Sequence, residues 1–176
     1  DINSNRLKYV VWDHAIVENC KEKLNECFGL LELSRLDVLI NNAGAIFMEK
    51  TITNEGLEKT FALNHMSYFV LSNLFIESFN SIKVINVSSE AHRGIKLNLD
   101  DLQNSIGYFG WHAYKRSKLA NIYLTYELAK RYDKKDITVN CLHPGLDNSD
   151  FANNNSLRYK IMSSLIKCFG IYTCEG

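Results

Sequence analysis

The chain has 176 residues, 46% hydrophobic and 23% charged, with 20 basic and 20 acidic side chains and no net charge. That length suits one domain able to bury about 70% of its unfolded surface, and the composition excludes a disordered chain, a collagen and a disulfide-stapled miniprotein. The zero balance removes the cationic footprint that phosphate contacts require, so nucleic acid is excluded as a partner and a local site must choose any ligand.

In chain order, Tyr9 to Trp12 reads as a weak strand, and Asp13 follows it. Ile16 to Leu31 reads as a weak helix. Leu36 to Ile40 is a Val/Ile/Leu strand running into Asn41-Asn42-Ala43-Gly44. Glu55 to Phe79 carries Leu57, Phe61, Leu63, Phe69, Leu71, Leu74 and Phe75 at near-helical spacing, with a cap expected at Thr53 or Asn54 and a helix favoured despite Gly56. Val84 to Val87 is the next strand, ending in Ser88-Ser89. Ala113 to Arg131 is a helix with Leu119, Ile122, Tyr123, Tyr126, Leu128 and Ala129 on its apolar side, and Lys130 and Arg131 at the negative end of its dipole. Thr138 to Leu142 is the last strand. Short apolar strands of this kind are expected to be buried on both faces. Their alternation with helices predicts right-handed crossovers and an α/β fold with a doubly wound parallel sheet. No repeat, linker or low-complexity tract divides residues 1–176, so a single domain is expected.

The longest apolar stretch, Tyr68 to Ile76, is broken by Ser72 and Asn73 and is shorter than the ~20 residues of a spanning helix. Five cysteines, Cys20, Cys27, Cys141, Cys168 and Cys174, include no Cys-x-x-Cys pair. They read as reduced thiols in a cytosolic setting, with no metal site.

Open parallel sheets collect ligands outside the carboxyl ends of their strands. At the first such end, the amides of Asn41 and Asn42 can tie neighbouring strands, and Ala43 and Gly44 let a flat ligand approach the backbone. The segment alone equally suits a turn. Tyr114 and Lys118 stand four apart and so share one helix face. Free tyrosine titrates near 10, so proton transfer at neutral pH needs a neighbouring cation, which Lys118 supplies. A serine hydroxyl beside that phenol can hold a substrate oxygen, which suits moving a proton while a hydride moves elsewhere. By itself the Tyr-x-x-x-Lys spacing also describes a solvated helix face.

Taken together, Asn41-Asn42-Ala43-Gly44, Phe61-Ala62-Leu63-Asn64-His65, Val84-Ile85-Asn86-Val87-Ser88-Ser89, Tyr114 to Lys118 and His143-Pro144-Gly145 resemble, in order, the short-chain dehydrogenase/reductase family. Ser88-Ser89-Glu90-Ala91-His92, the long segment before Tyr114 and Ser117-Lys118-Leu119-Ala120-Asn121 most resemble its retinol-dehydrogenase-like branch. The resemblance runs from about Tyr9 to the end of the chain and implies a Rossmann-like sheet, incomplete at both ends.

It also implies roles. Tyr114 would be the catalytic acid/base, and Lys118 would lower its pKa and hold the nicotinamide ribose. Ser89, the second serine of its pair, would position the substrate oxygen. Asn64 would fix the helix bend and the water of a proton relay reaching Lys118. Asn41, Ala43 and Gly44 would line the adenine-ribose side of the cofactor and steady the sheet, Asp13 would contact the adenine ring, and Pro144, Gly145 and Ser149 would sit at the nicotinamide. The implied cofactor is NADP or NAD, with NADP favoured. The implied activity is alcohol–carbonyl interconversion on a small or apolar substrate such as a retinoid, steroid or lipid aldehyde. The resemblance also implies a homodimer paired through the two long helices, and leaves membrane attachment open.

Two departures accompany it. No Gly-x-x-x-Gly-x-Gly segment is present, and the chain begins at Asp1 and ends at Gly176, which together lead to the expectation of a partial sequence. Asp147 stands where the family carries Val or Ile. These departures favour an alternative, a non-catalytic nucleotide sensor or interaction scaffold; the complete set Asn64, Ser89, Tyr114 and Lys118 argues against it. His65, His92 and His143 read as packing or hydrogen-bonding groups. Trp111, Tyr108 and Phe109 suit either a substrate mouth or a cover for the core. Lys134 and Lys135 read as a solvated loop.

Overall fold

A computed structural model describes residues 7–31, 34–133 and 136–145. The elements run α1 (Cys20–Leu31), β1 (Val38–Asn41), α2 (Lys59–Phe61), a π-helical turn (Ala62–Met66), α3 (Ser67–Ser78), β2 (Ser81–Val87), two short 3₁₀ turns (Glu90–His92 and Leu99–Asp101), α4 (Gly110–Arg131) and β3 (Asp136–Leu142). The three strands form one parallel sheet in the order β1-β2-β3.

The register aligns Leu39 with Val84 and Val84 with Val139, so alternate residues of all three strands share a face. On that face Ile82, Val84, Ile137 and Val139 pack with Tyr68 and Ile76 of α3 and Leu124 and Leu128 of α4. Each such side chain contributes about 1.5–3 kcal/mol by leaving water. The opposite face is different. Val38 and Ile40 are 39% and 60% exposed, and Lys83, Thr138 and Asn140 are exposed too. A parallel sheet flanked by helices is the α/β arrangement expected from the sequence; among the described residues the helices lie on the face that carries Ile82 and Val84.

Several boundaries differ from the sequence reading for local reasons. Residues 9–12 form no strand: Tyr9 and Val11 are 79% and 80% exposed. The first helix begins at Cys20 rather than Ile16, because Ile16 closes a turn by donating its N–H to Asp13 O, Val17 N and Glu18 N donate to the Glu55 carboxylate, and Cys20 N donates to Val17 O in a second turn. Glu55 to Leu57 is not helical: Gly56 adopts φ 80°, Thr53 Oγ1 accepts from Leu57 N, and Ile52 bridges Glu58 antiparallel. The helical run therefore starts after Glu58, whose buried carboxylate accepts from Thr60 N at 2.7 Å and Phe61 N at 3.0 Å. A carboxylate cap satisfies orphan N–H groups and complements the helix dipole. β2 extends back to Ser81, whose hydroxyl donates to the Asp136 carboxylate at 2.6 Å.

Candidate active site

The carboxyl ends of β1, β2 and β3 lie side by side, so Asn41 to Gly44, Ser88-Ser89 and His143 to Gly145 gather along one edge of the sheet. α4 passes behind them. Its start at Gly110, three residues earlier than expected, depends on that residue: a Cβ there would stand 2.3 Å from Phe47 O and 2.6 Å from Met48 Cα. The helix is thereby pressed against the chain after β1, and Tyr114 packs with Ile46, Met48, Ala91 and Trp111. The Trp111 and Tyr114 rings stack with centroids 5.6 Å apart.

One turn further on, Lys118 is 4% exposed and donates to Val87 O at 3.0 Å. Its ammonium lies 5.8 Å from the Tyr114 ring centroid and 5.6 Å from that of Tyr68. Burial pulls its pKa down from the usual lysine value to about 8, against a smaller upward effect from Cys141. Desolvation penalises the charged form, and only partly replaced hydration remains.

Asn64 sits in the π turn, fully buried. Its carboxamide exchanges two bonds with Ala45, Oδ1 accepting from Ala45 N and Nδ2 donating to Ala45 O, both at 2.9 Å, and Nδ2 also donates to Ser117 Oγ at 3.0 Å. Ser117 Oγ in turn donates to Tyr114 O at 2.7 Å. A Cβ on Gly44 would meet Asn64 Oδ1 at 3.2 Å and Lys118 Nζ at 3.3 Å, so Gly44 leaves a gap into which both groups look.

The serine pair divides. Ser88 is buried and donates to Lys118 O at 2.7 Å, whereas Ser89 is half-buried and accepts from Ala91 N at 3.2 Å, capping the Glu90–His92 turn. Asn41 is turned inward and donates to Ser72 Oγ at 2.9 Å and Asn86 Oδ1 at 2.8 Å, tying β1 to β2 and α3. Ala43 is half-buried and Gly44 exposed at the strand end. Pro144 and Gly145 are exposed, Gly145 at φ 94°. Asp13 is exposed in a turn, accepting from Ala15 N at 2.9 Å, without the strand expected before it. Ser149, Asp147, Lys134 and Lys135 lie outside the described residues.

Tyr108 is a tie: its hydroxyl lies 2.7 Å from Phe47 O and 3.2 Å from Glu58 Oε1 and Thr60 Oγ1, and burial pushes its pKa up to about 12. Gln103 and Asn104 anchor the same loop, to Glu58 N and to Lys50 and Arg116. His143 Nε2 pairs with Glu90 at 2.9 Å, joining the end of β3 to the Ser89 turn. The sequence reading assigned no role to Ser117 or Asn121. The available signal was a polar stripe, Tyr114, Ser117, Lys118, Asn121 and Thr125, repeating every three or four residues along α4. Among the described residues no group of His, Cys, Asp and Glu side chains could hold a metal, and no helix is long and apolar enough to cross a membrane.

The family model for short chain dehydrogenase matches residues 2–160. Mouse retinol dehydrogenase 14 is 42% identical over 120 residues, 66% of this chain and 36% of that protein. Human polyprenol dehydrogenase is 38% identical over 124 residues, 65% of this chain and 38% of that protein. The chain thus spans little more than a third of either relative. A solved structure from Beutenbergia cavernae, described as an NAD(P)-dependent gluconate 5-dehydrogenase with bound NADP, superposes with a TM-score of 0.64 at 25% identity, covering 89% of this chain and 58% of that one.

Proposed function

This chain belongs to the short-chain dehydrogenase family, and from that premise we propose that it carries the catalytic centre of an NAD(P)-dependent oxidoreductase interconverting an alcohol and a carbonyl. The observation that carries the reading is the convergence of Asn64, Lys118 and Gly44 beside Tyr114. The Lys118 ammonium, one helix turn from Tyr114 and 5.8 Å from its ring centroid, is the buried cation beside the phenol, and Tyr114 serves as the acid/base that takes the alcohol proton or returns it to the carbonyl oxygen. Ser89 hydrogen-bonds the same oxygen. Asn64 holds Ala45 and Ser117 and thereby the approach to Lys118.

The donor set suits the ribose and nicotinamide half of a dinucleotide. Lys118 has three donors and commits one to Val87 O, and the bare Cα of Gly44 admits a flat group against it. Lys118, Pro144 and Gly145 would hold that half, with the backbone of Ala43 and Gly44 leading to the adenine-ribose side, and the bound cofactor would accept or supply the hydride. Asn41 supports this through the sheet. NADP is the favoured form, in line with the nucleotide bound in the Beutenbergia structure. Ile46, Met48, Ala91 and Trp111 around Tyr114 support an apolar substrate, and the relatives' named alcohols, retinol and polyprenol, are of that class. Phe69, Tyr123 and Tyr126, exposed on α3 and α4, support pairing of two copies.

The test is turnover of a panel of apolar primary alcohols with NADP and NAD. Tyr114→Phe and Lys118→Ala are expected to lower kcat at least about 100-fold while the fold persists. Retained activity in either variant, or cofactor binding without oxidation of any alcohol, rejects the reading, the latter in favour of a nucleotide sensor.

A further inference from the structure

We propose that Asn121 is a positioning residue of this site, a single buried carboxamide that fixes the π turn carrying Asn64 and selects the tautomer of His65. It lies on α4 three residues beyond Lys118 and is fully buried, and both ends of its side chain are committed. Nδ2 donates to the main-chain carbonyl of Asn64 at 2.8 Å, and Oδ1 lies 3.0 Å from His65 Nδ1. Because the amide nitrogen can only donate, the oxygen must accept, so His65 carries its proton on Nδ1 and its lone pair on Nε2. Burial holds the His65 pKa below the usual histidine value, which keeps this neutral form at neutral pH.

A π turn is wider than an α turn, and such turns occur mostly as single bulges at functional sites. Here two carbonyls of the widened turn take side-chain donors: Ser67 Oγ on Leu63 O at 2.6 Å and Asn121 Nδ2 on Asn64 O. The second sets where the Asn64 side chain points. That side chain and the Lys118 ammonium stand 3.2 and 3.3 Å from the same empty Cβ position on Gly44, so a small shift of the turn alters the space beside Lys118. Asn121 is itself held from behind. Its carbonyl accepts from Thr125 Oγ1 at 2.8 Å, which accepts from Asn86 Nδ2 at 3.0 Å, and Asn86 Oδ1 accepts from Asn41. The strand ends and the π turn are therefore set by one chain of hydrogen bonds with Asn121 at the junction. The catalytic consequence rests on the dehydrogenase reading; the positioning itself does not.

Two variants separate the two ends of the carboxamide. Asn121→Leu removes both bonds at similar volume, and Asn121→Asp keeps the acceptor for His65 but loses the donor for Asn64. In Asn121→Leu, nitrogen-15 NMR is expected to show loss of the His65 Nδ1–H form and at least about tenfold faster exchange of the Asn64 side-chain amide protons. In Asn121→Asp the Nδ1–H form persists, His65 titrates at higher pH beside the carboxylate, and the Asn64 protons exchange faster as in the leucine variant. Both variants are expected to lose about 10- to 100-fold in kcat with less than about a threefold change in KM. Unchanged Asn64 exchange and unchanged kcat in a folded Asn121→Leu protein overturn the proposal. If that variant does not fold, Asn121→Asp decides on the same two readouts. If the unaltered protein oxidises no alcohol, the dehydrogenase reading fails, and Asn64 exchange alone decides on Asn121.

Discussion

Lys118 shows what a single residue costs this fold. Its ammonium is almost without water and keeps one hydrogen bond to Val87 O and two aromatic rings as compensation. With the folded pKa near 8 and the unfolded value near 10.5, the folded state binds its proton less tightly. The penalty is therefore fully present below about pH 8 and is relieved as pH rises towards 10.5, and it amounts to about 3 kcal/mol at most. Lys118→Met should raise stability at pH 7 by about 1–3 kcal/mol, allowing for the lost hydrogen bond, and the gain should shrink towards pH 10.5. Urea midpoints of the two proteins at both pH values measure it, and a variant no more stable than the parent at pH 7 contradicts the argument. Gly44→Ala works by a different route. Its methyl would crowd Asn64 Oδ1 and Lys118 Nζ by a few tenths of an ångström, so the expected result is weaker turnover, by about tenfold or more, with the unfolding midpoint little changed.

At the scale of elements, α4 and the segment after β1 are matched surfaces. At Gly110 an added methyl meets backbone rather than a flexible side-chain end, and backbone cannot yield cheaply. Gly110→Ala is expected to destabilise by about 3 kcal/mol or more, several times the effect of Gly44→Ala, as denaturant titration would show. The pair thus separates a glycine required for packing from one required for access. The helices were legible as apolar runs at near-helical spacing, but the buried face of α4 was not: Leu128 packs on the sheet together with Leu124, whereas Tyr123 and Tyr126, expected on the apolar side, are 53% and 72% exposed. The helix starts were less legible too. Thr53 looked like a cap by residue type, yet Glu58 does the capping, because Gly56 at φ 80° turns the chain and the Ile52 to Glu58 bridge holds it out of helix until Lys59. The π turn left no periodic trace, since one extra residue in a turn shifts the phase too little to be seen against side-chain variety.

Across the whole molecule, the parallel sheet was readable from three Val/Ile runs, but the degree of burial was not. Val38, Ile40 and Leu142 are as apolar as Ile82 and Val84 and differ only in which face of the strand they occupy. Composition cannot report what lies against a face. The site was legible where it is contiguous in sequence, as at Tyr114 and Lys118, and illegible where it is assembled from separated residues, as in the link from Asn41 through Asn86 and Thr125 to Asn121. Global stability should also carry a histidine signature. Burial lowers the folded pKa of His65, and to a lesser burial that of His14, so both resist protonation more than the unfolded chain does. Stability is then complete above about pH 6.5 and falls as pH drops below it, by at most about 1.4 kcal/mol per unit for each group. His65→Gln should flatten that acid limb in thermal or urea unfolding; an unaltered slope would mean that other groups produce it.

The hydrogen-bonded chain behind the strand ends is built from carboxamides and hydroxyls: Asn41, Ser72, Asn86, Thr125, Asn121, Asn64 and Ser117. None of these groups gains or loses a proton between mild acid and strong alkali. The frame therefore behaves as an electrically silent mounting, flanked by two ionising side chains: His65 on Asn121, and the Cys141 thiol on Thr125, which burial pushes above its usual value. A rate measured from pH 7 to pH 9, where His65 is neutral and burial keeps the Cys141 thiol protonated, would then record the chemistry of Tyr114 and Lys118 against a fixed background, because the support that aims them does not itself respond to the proton.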